Sequence, residues 1–268
     1  MANQTSSTEM PVLFIGHGSP MNAIESNRFT QALEQLGREL PRPSAICVVS
    51  AHWVTRGSQV QASEWPRTIH DFYGFPKPLY EVQYPAPGAP ELAKRLAFEQ
   101  HFVADQQWGL DHGAWSVLLH MYPQADVPVF QVSLDQTRTF SEHLALGREL
   151  AKLRERGILI VGSGNLVHNL HKMNWELPHA AYPWASEFDQ KVKRAIEERD
   201  TEKLVAPDRW GEELLAEAHP TLEHYAPILY SIAATDDNDA VRYPYEGIEF
   251  GSVSMRTVVF QANPHRAA

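Results

Sequence analysis

The sequence contains a single cysteine and lacks a long apolar segment. Cys47 lies in an apolar run at residues 45–49, so a framework of intramolecular disulfides is excluded and a small buried side chain is expected. Apolar runs of this length fall well short of the roughly 20 residues that a membrane span requires. The N-terminus shows no charged start followed by an apolar stretch. We therefore expect no signal peptide, no membrane association and a cytoplasmic location.

Basic charge is also scarce. The chain has 23 Lys and Arg residues against 33 Asp and Glu residues, a net charge of −10, and no basic cluster, which disfavours nucleic-acid binding. Phosphate-binding loops, the His-Glu-x-x-His zinc-protease motif and the Gly-x-Ser-x-Gly nucleophile motif are missing as well. Gly162-Ser163-Gly164 begins like a dinucleotide-binding fingerprint, but Val167 occupies the place of the third glycine.

The distribution of apolar residues predicts an α/β fold. With 268 residues, 43% of them hydrophobic, the chain suits one large domain, which we place at residues 11–268 after a disordered tail at 1–10. Apolar or alternating runs predict strands at 11–15, 44–50, 58–63, 101–105, 127–133, 157–162, 247–250 and 253–261. Helical spacing predicts helices at 28–40, 91–100, 115–121, 140–154, 184–198, 208–218 and 220–233. Wholly apolar strands indicate a central sheet flanked by helices on both faces, and pairing of the last two strands would make it mixed.

Residues 65–90 are rich in proline and aromatic side chains. Long loops inside compact domains are often walls or lids of a binding site, although an irregular packed excursion is an equally good interpretation. If the segment lines a site, the side chains expected to exclude water from it are Trp65, Phe72, Tyr73 and Tyr80.

The chain is rich in histidine, with 13 residues. His17 and His52 follow the first two predicted strands, and His168 follows the strand of almost pure Ile, Leu and Val. Because ligand sites in α/β sheets lie at the carboxyl ends of strands, these imidazoles are expected to meet at one edge and could bind a divalent metal. His112 and His224 are weaker candidates by pattern alone. We interpret His70, His101, His120, His143, His171, His179 and His265 as structural or solvated.

Five short motifs occur in an order that resembles the class III extradiol ring-cleavage dioxygenases, and within them the DOPA 4,5-dioxygenase branch. The motifs are Gly16-His17-Gly18-Ser19-Pro20-Met21, Ser50-Ala51-His52-Trp53, Gly109-Leu110-Asp111-His112-Gly113, Gly162-Ser163-Gly164-Asn165 with His168, and His224 with Pro227. The resemblance implies that His17, His52 and His224 bind a metal, that His168 is the acid/base residue and that His112 lines the substrate pocket. Some members of this class use a glutamate as third ligand. Here that position matches His224, and Glu223 is not expected to replace it because adjacent helical residues diverge by about 100°.

The resemblance further implies a function. Fe(II) is expected for catalysis. Three neutral imidazoles also suit Zn(II), so the protein as isolated could hold zinc in the same site. The expected substrates are O2 and a catechol, DOPA or a relative of it. A histidine with a pKa near 7 would serve both proton transfers that ring cleavage requires. The alternatives are a zinc-dependent hydrolase on the same ligands, which would consume no oxygen, and a non-catalytic protein that keeps the fold.

Overall fold

The apolar runs form the strands of one large sheet in a computed structural model of the chain, which describes residues 9–262. The strands are β1 (Val12–Gly16), β2 (Ala45–Thr55), β3 (Gln59–Gln61), β4 (Val103–Asp105), β5 (Val129–Asp135), β6 (Ile158–Gly164), β7 (Asp239–Tyr245), β8 (Ile248–Glu249), β9 (Val253–Ser254) and β10 (Thr257–Ala262). The α-helices are α1 (Arg28–Glu39), α2 (Lys77–Glu81), α3 (Pro90–Gln100), α4 (His112–Met121), α5 (Phe140–Leu150), α6 (Pro183–Glu197), α7 (Thr201–Leu204), α8 (Glu212–Ala218) and α9 (Pro227–Ala233). Short 3-10 helices occupy Pro20–Ala23, Ala151–Arg156, Leu170–Lys172 and Pro207–Trp210.

Eight strands form the central sheet in the order β4-β3-β5-β2-β6-β1-β10-β7. The middle strands β5, β2, β6 and β1 are parallel to one another, whereas β10 pairs antiparallel with both β1 and β7. The sheet is therefore mixed, as predicted. The parallel core also brings the carboxyl ends of β1, β2 and β6 to one edge.

Both faces of the sheet are buried. Along β1, Val12 and Phe14 belong to one apolar core, while Leu13 and Ile15 belong to the other, as the two-residue period of a strand requires. Helices α1 and α4 cover one face, and α3, α5, α6 and α9 cover the other. The predicted α/β architecture with helices on both faces is confirmed. Cys47 is fully buried in β2, where burial raises the pKa of its thiol.

Local sequence signals set several helix ends. The Asn27 side chain accepts from the Thr30 backbone N–H and Thr30 returns the contact, which forms a capping box at the start of α1. The helix ends at Glu39, and the next residue, Leu40, has an extended backbone because the following Pro41 disfavours helical geometry in the residue before it. Thr139 and Glu142 form a second capping box at the start of α5.

The predicted helix at 220–233 is wrong in its first half. Residues 220–226 form turns, and α9 begins only at Pro227. Proline lacks the backbone N–H and its ring would clash with the carbonyl four residues earlier, so it is tolerated in the first turn of a helix but not inside one. His224 consequently lies in a turn just before the helix, not in its first turns. Gly211, with a φ of 122°, similarly divides the predicted helix at 208–218.

The C-terminal strands also differ from prediction. The run at 253–261 is divided into β9 and β10, and β8 and β9 pair antiparallel as a small separate sheet. Strand β7 was missed because its residues are charged or half-exposed and include Pro244, a pattern typical of an edge strand. Residues 1–8 of the predicted tail lie outside the described residues, whereas Met10 is buried and its backbone N–H donates to the Arg154 carbonyl.

Within residues 9–262, no helix combines the length and the apolar character needed to cross a membrane.

Candidate metal centre and active site

Five histidines line one cavity at the carboxyl edge of the parallel strands. His17 directly follows β1, His52 lies near the end of β2, and His168 follows β6, which lies between those two strands in the sheet. His112 begins α4 and His224 precedes α9, and both face the same cavity of about 420 Å³. The structure therefore brings together all five histidines that the sequence singled out.

The imidazoles of His17, His52 and His224 converge most closely on a common point. Their ring centroids are 4.9 Å apart for His17 and His52, 5.0 Å for His52 and His224, and 5.4 Å for His17 and His224. One ligand nitrogen from each ring lies within 4.8 Å of the other two, and the Nε2 atoms of His17 and His52 are 3.0 Å apart. Three convergent nitrogens on one side leave open positions for other ligands of a metal ion.

A hydrogen-bond chain selects the tautomer of His17. The Ser163 hydroxyl donates to the Gly113 carbonyl at 2.5 Å, so the Ser163 oxygen accepts the proton on His17 Nδ1, 3.0 Å away. The Nε2 atom is then unprotonated and turned toward the cluster. Such an outer partner orients a metal-binding imidazole and raises its basicity.

Asp71 accepts hydrogen bonds from two histidines and orients both imidazoles. Its Oδ2 accepts from Nδ1 of His52 at 3.2 Å and from Nδ1 of His112 at 3.0 Å, while Oδ1 accepts the His112 backbone N–H at 2.9 Å. Burial alone would raise the pKa of Asp71, but the hydrogen bonds from His112 and His52 outweigh it and lower this pKa below its ordinary range. The carboxylate is therefore ionised and accepts the Nδ1 protons, so Nε2 is the ring nitrogen that each imidazole has left to offer another ligand.

One ring nitrogen of His224 is buried without a hydrogen-bond partner. Its Nδ1 donates to Glu223 Oε1 at 3.0 Å, whereas its Nε2 is buried and has no hydrogen-bond partner. Buried polar atoms in folded proteins are normally satisfied, so an orphaned nitrogen aimed at two other imidazoles fits a metal ligand. The Glu223 carboxylate is thus already engaged with the imidazole of His224.

Gly162 and Gly164, which begin like a dinucleotide-binding motif, explain how His224 comes close to the other histidines. A Cβ atom at Gly164 would lie 2.2 Å from the His224 carbonyl oxygen, and one at Gly162 would lie 2.6 Å from the Pro227 carbonyl oxygen. Both are impossible contacts. The glycines therefore let the 224–227 segment pack directly on β6.

Two further groups of potential ligands occur in the described residues: His52 with Asp71 and His112, and His168 with Glu223 and His224. Each depends on a carboxylate that already accepts an imidazole N–H. The three-histidine group needs no such rearrangement, and burial lowers the pKa of His17 and of His224 well below the ordinary value. These two rings are neutral near pH 7, as metal ligation requires.

His168 stacks on His224 with ring centroids 3.5 Å apart. Burial, followed by the neighbouring histidines His219, His52 and His112, lowers the pKa of His168 to about 3. This pKa lies well below the expected value near 7, so the imidazole of His168 is neutral near pH 7.

Part of the aromatic segment at 65–90 forms one wall of the cavity. Phe72 and Tyr73 line it as expected, together with Phe75. Trp65 is 71% exposed and Tyr80 packs behind Phe72, and neither lines the cavity. Among the remaining histidines, His70, His120 and His143 are hydrogen-bonded elsewhere, as structural residues are, and His265 lies outside the described residues.

Comparison with known proteins identifies the family. Residues 11–250 match the family model described as the catalytic LigB subunit of aromatic ring-opening dioxygenase. The chain belongs to the LigB family. The resemblance inferred from the ordered histidine motifs is thereby confirmed, as is the prediction of an aromatic ring-opening dioxygenase.

Relatives of this LigB-family chain support the extradiol subclass. The chain is 48% identical over 258 residues to a protein of Escherichia coli K12 named 4,5-DOPA dioxygenase extradiol, covering 94% of this chain and 95% of that one. It is 36% identical to a protein of the same name from Beta vulgaris, covering 92% and 95%. A crystal structure of an uncharacterized protein from Escherichia coli K12 superposes with a TM-score of 0.81 at 43% identity, covering 93% and 99%.

Sequence reasoning missed the residues that orient the cavity histidines of this LigB-family protein. Asp71 lies inside the proline-rich segment, and Ser163 lies between two glycines that were examined for another motif. Nothing in the sequence around either residue indicates its partner. The hydrogen bonds join residues 41 and 146 positions apart, so only the folded chain reveals them.

Proposed function

We propose that this protein is an extradiol dioxygenase that opens the ring of a catechol with O2 at a metal bound by His17, His52 and His224. The observation that carries the proposal is the buried, unpartnered Nε2 of His224, aimed at two other imidazoles in a chain of the LigB family. The relatives named DOPA dioxygenases make DOPA the first catechol to test. The cytoplasm remains the proposed compartment.

Fe(II) is the metal that we propose for catalysis. When bound by three imidazoles, Fe(II) supplies open coordination positions and the redox chemistry that a reaction between a catechol and O2 requires. Three neutral nitrogen ligands also fit Zn(II), which would fill the same site without redox activity. The donor set thus suits both metals, and the reaction of the family favours iron.

His168 is the proposed acid/base residue. It lines the cavity and stacks on the proposed ligand His224, with ring centroids 3.5 Å apart. A neutral imidazole accepts a proton from a catechol hydroxyl and returns a proton later in the turnover. Positioned proton transfer of this kind contributes about 10²–10⁴ in rate.

His112 is proposed to bind the second polar edge of the substrate. Because its Nδ1 proton is donated to Asp71, Nε2 is the acceptor that remains for a catechol hydroxyl. Burial, followed by the nearby His52, lowers the pKa of His112. Phe72 packs edge-on against His112 at 5.6 Å and shields it from water.

The test is anaerobic reconstitution of the apo-protein with Fe(II) and, in parallel, with Zn(II). DOPA and a panel of small catechols are then added while O2 uptake and the yellow ring-opened product are followed. We expect iron-dependent uptake with a yellow product and none with zinc. His101→Ala, at a histidine remote from the cavity lining, should behave like the unmodified protein. No uptake with any catechol in a protein confirmed to hold iron would contradict the proposal and favour the zinc hydrolase.

A further inference from the structure

The cavity has a polar floor and an apolar outer part. The five histidines and Asp71 lie at the floor, where the metal is proposed. None of the described residues that line the cavity is a lysine or an arginine. The outer part is formed mainly by Tyr73, Phe75, Leu170, Met173, Trp175 and Phe250.

Several of these outer residues are large apolar side chains exposed to water. Tyr73 is 92% exposed, Trp175 is 70% exposed and Leu170 is 57% exposed. An isolated exposed apolar residue needs no explanation, but a group of them at the mouth of a cavity is typical of a binding surface for apolar ligands.

The backbone at this rim is held in an unfavourable conformation. Phe250 has a φ of 52°, in the left-handed region, and its ring lies 4.7 Å from that of Trp175. Its carbonyl accepts from the Asn174 N–H at 2.8 Å, which holds the two segments together. Such conformations are unfavourable for residues other than glycine and persist where the surroundings enforce them, often at ligand sites.

Among residues 9–262, no lysine or arginine lines the cavity to pair with a substrate carboxylate. Lys172 is close in sequence to Leu170, but its ammonium pairs with Glu217 at 3.5 Å and its side chain does not line the cavity. The chain as a whole carries a net charge of −10, which repels anions. Placing a carboxylate against an apolar wall without a partner carries a large desolvation penalty.

We infer that the preferred substrate is a catechol with an uncharged, apolar ring substituent, which packs against Leu170, Trp175 and Phe250. This inference rests on the proposed function and narrows its substrate class. DOPA, whose side chain carries a carboxylate and an ammonium, is then a weaker substrate than an alkylcatechol. The catechol hydroxyls face the histidine floor, and the substituent extends toward the rim.

The test compares four substrates on the iron-loaded protein by O2 uptake: catechol, a propylcatechol, DOPA, and the dihydroxyphenylpropanoate that matches the propyl compound in length. Burial of each CH2 group contributes about 0.8 kcal/mol, so kcat/KM for the propylcatechol should exceed that for catechol by about tenfold or more. It should exceed the values for DOPA and for the propanoate as well. An equal or higher kcat/KM for either charged substrate would overturn the inference. No uptake with any of the four would overturn the proposed function itself.

Two variants locate the substituent. Trp175→Ala should lower the ratio of kcat/KM for propylcatechol over catechol about fivefold or more, because it removes the apolar contact. Leu170→Arg should shift the ratio of propanoate over propylcatechol upward about tenfold, because it supplies the missing cation. Phe98→Ala, at another exposed aromatic residue outside the cavity lining, is the control and should leave both ratios unchanged. Unchanged ratios in both rim variants would contradict the inference.

Discussion

The imidazole of His168 stacks on that of His224, with ring centroids 3.5 Å apart and planes only 6° from parallel. The two residues come from different segments, one after β6 and one before α9. The backbone N–H of His168 donates to the Ala218 carbonyl at 2.9 Å, and that of Asn165 donates to the His224 carbonyl at 2.9 Å. The proposed acid/base residue is thus held beside a proposed metal ligand without itself being one of the three.

Replacement of His168 should separate binding from turnover. His168→Ala should retain metal and bind catechol under anaerobic conditions, but its kcat should fall by about 10²–10⁴ because the proton acceptor is gone. Metal analysis, anaerobic catechol titration and O2 uptake measure the three quantities. His171→Ala, at an exposed histidine three residues later, is the matched control. Undiminished turnover would remove His168 from the acid/base role.

Replacement of a proposed ligand should remove the metal. His17→Ala or His52→Ala should bring the metal content close to zero. Each variant has lost one of the three proposed nitrogen ligands, and the two that remain bind a metal much more weakly. Circular dichroism should show the fold retained, since the sheet below the site does not depend on either ring. His101→Ala controls for the loss of a histidine as such. An unchanged metal content would show that the ligand assignment is wrong.

Replacement of Asp71 should lower metal affinity and activity. Asp71→Asn keeps the size of the side chain but removes the charge that accepts from His52 and His112. Loss of such an outer partner typically lowers metal affinity or activity by about 10–100-fold. Competition with a chromogenic chelator measures the affinity. The control Asp126→Asn removes an exposed partner of Arg42 and should leave the metal affinity unaltered. An unaltered metal affinity and activity in Asp71→Asn would refute the positioning role.

Glu249 should make stability depend on pH. Burial, followed by the charge of Glu25, raises the pKa of Glu249 from 4.5 to about 7. Because the folded-state pKa lies above the unfolded value, the stabilisation is complete below pH 4.5 and is lost as the pH rises toward 7. The shift corresponds to about 3 kcal/mol as an upper bound.

Glu249→Gln removes this titration. Urea unfolding of both proteins between about pH 4 and pH 8 should show the original chain losing up to about 3 kcal/mol more than the variant over the range. Glu64→Gln, at an exposed glutamate, should keep the original pH dependence. Parallel pH curves for the original chain and Glu249→Gln would contradict the prediction.

Several parts of the fold follow from sequence because their causes are local. Short, almost continuous apolar runs define β1, β2, β5 and β6, and capping residues such as Asn27 mark the start of a helix. Pro227 also carries local information, because proline is tolerated in the first turn of a helix, but the spacing of apolar residues predicted a start at residue 220. Strand β7 escaped detection because an edge strand with charged and half-exposed residues has no distinctive pattern.

The pattern of apolar runs places His17, His52 and His168 at or after the carboxyl ends of strands, and these side chains meet because parallel strands share that edge of the sheet. The ordered motifs added His112 and His224. The orientation of the five rings, in contrast, depends on contacts that exist only in the folded chain. The contacts of Ser163 with His17 and of Asp71 with His52 and His112 join distant segments, and hydrogen bonds of this kind depend on distances and angles in space that no local sequence pattern encodes.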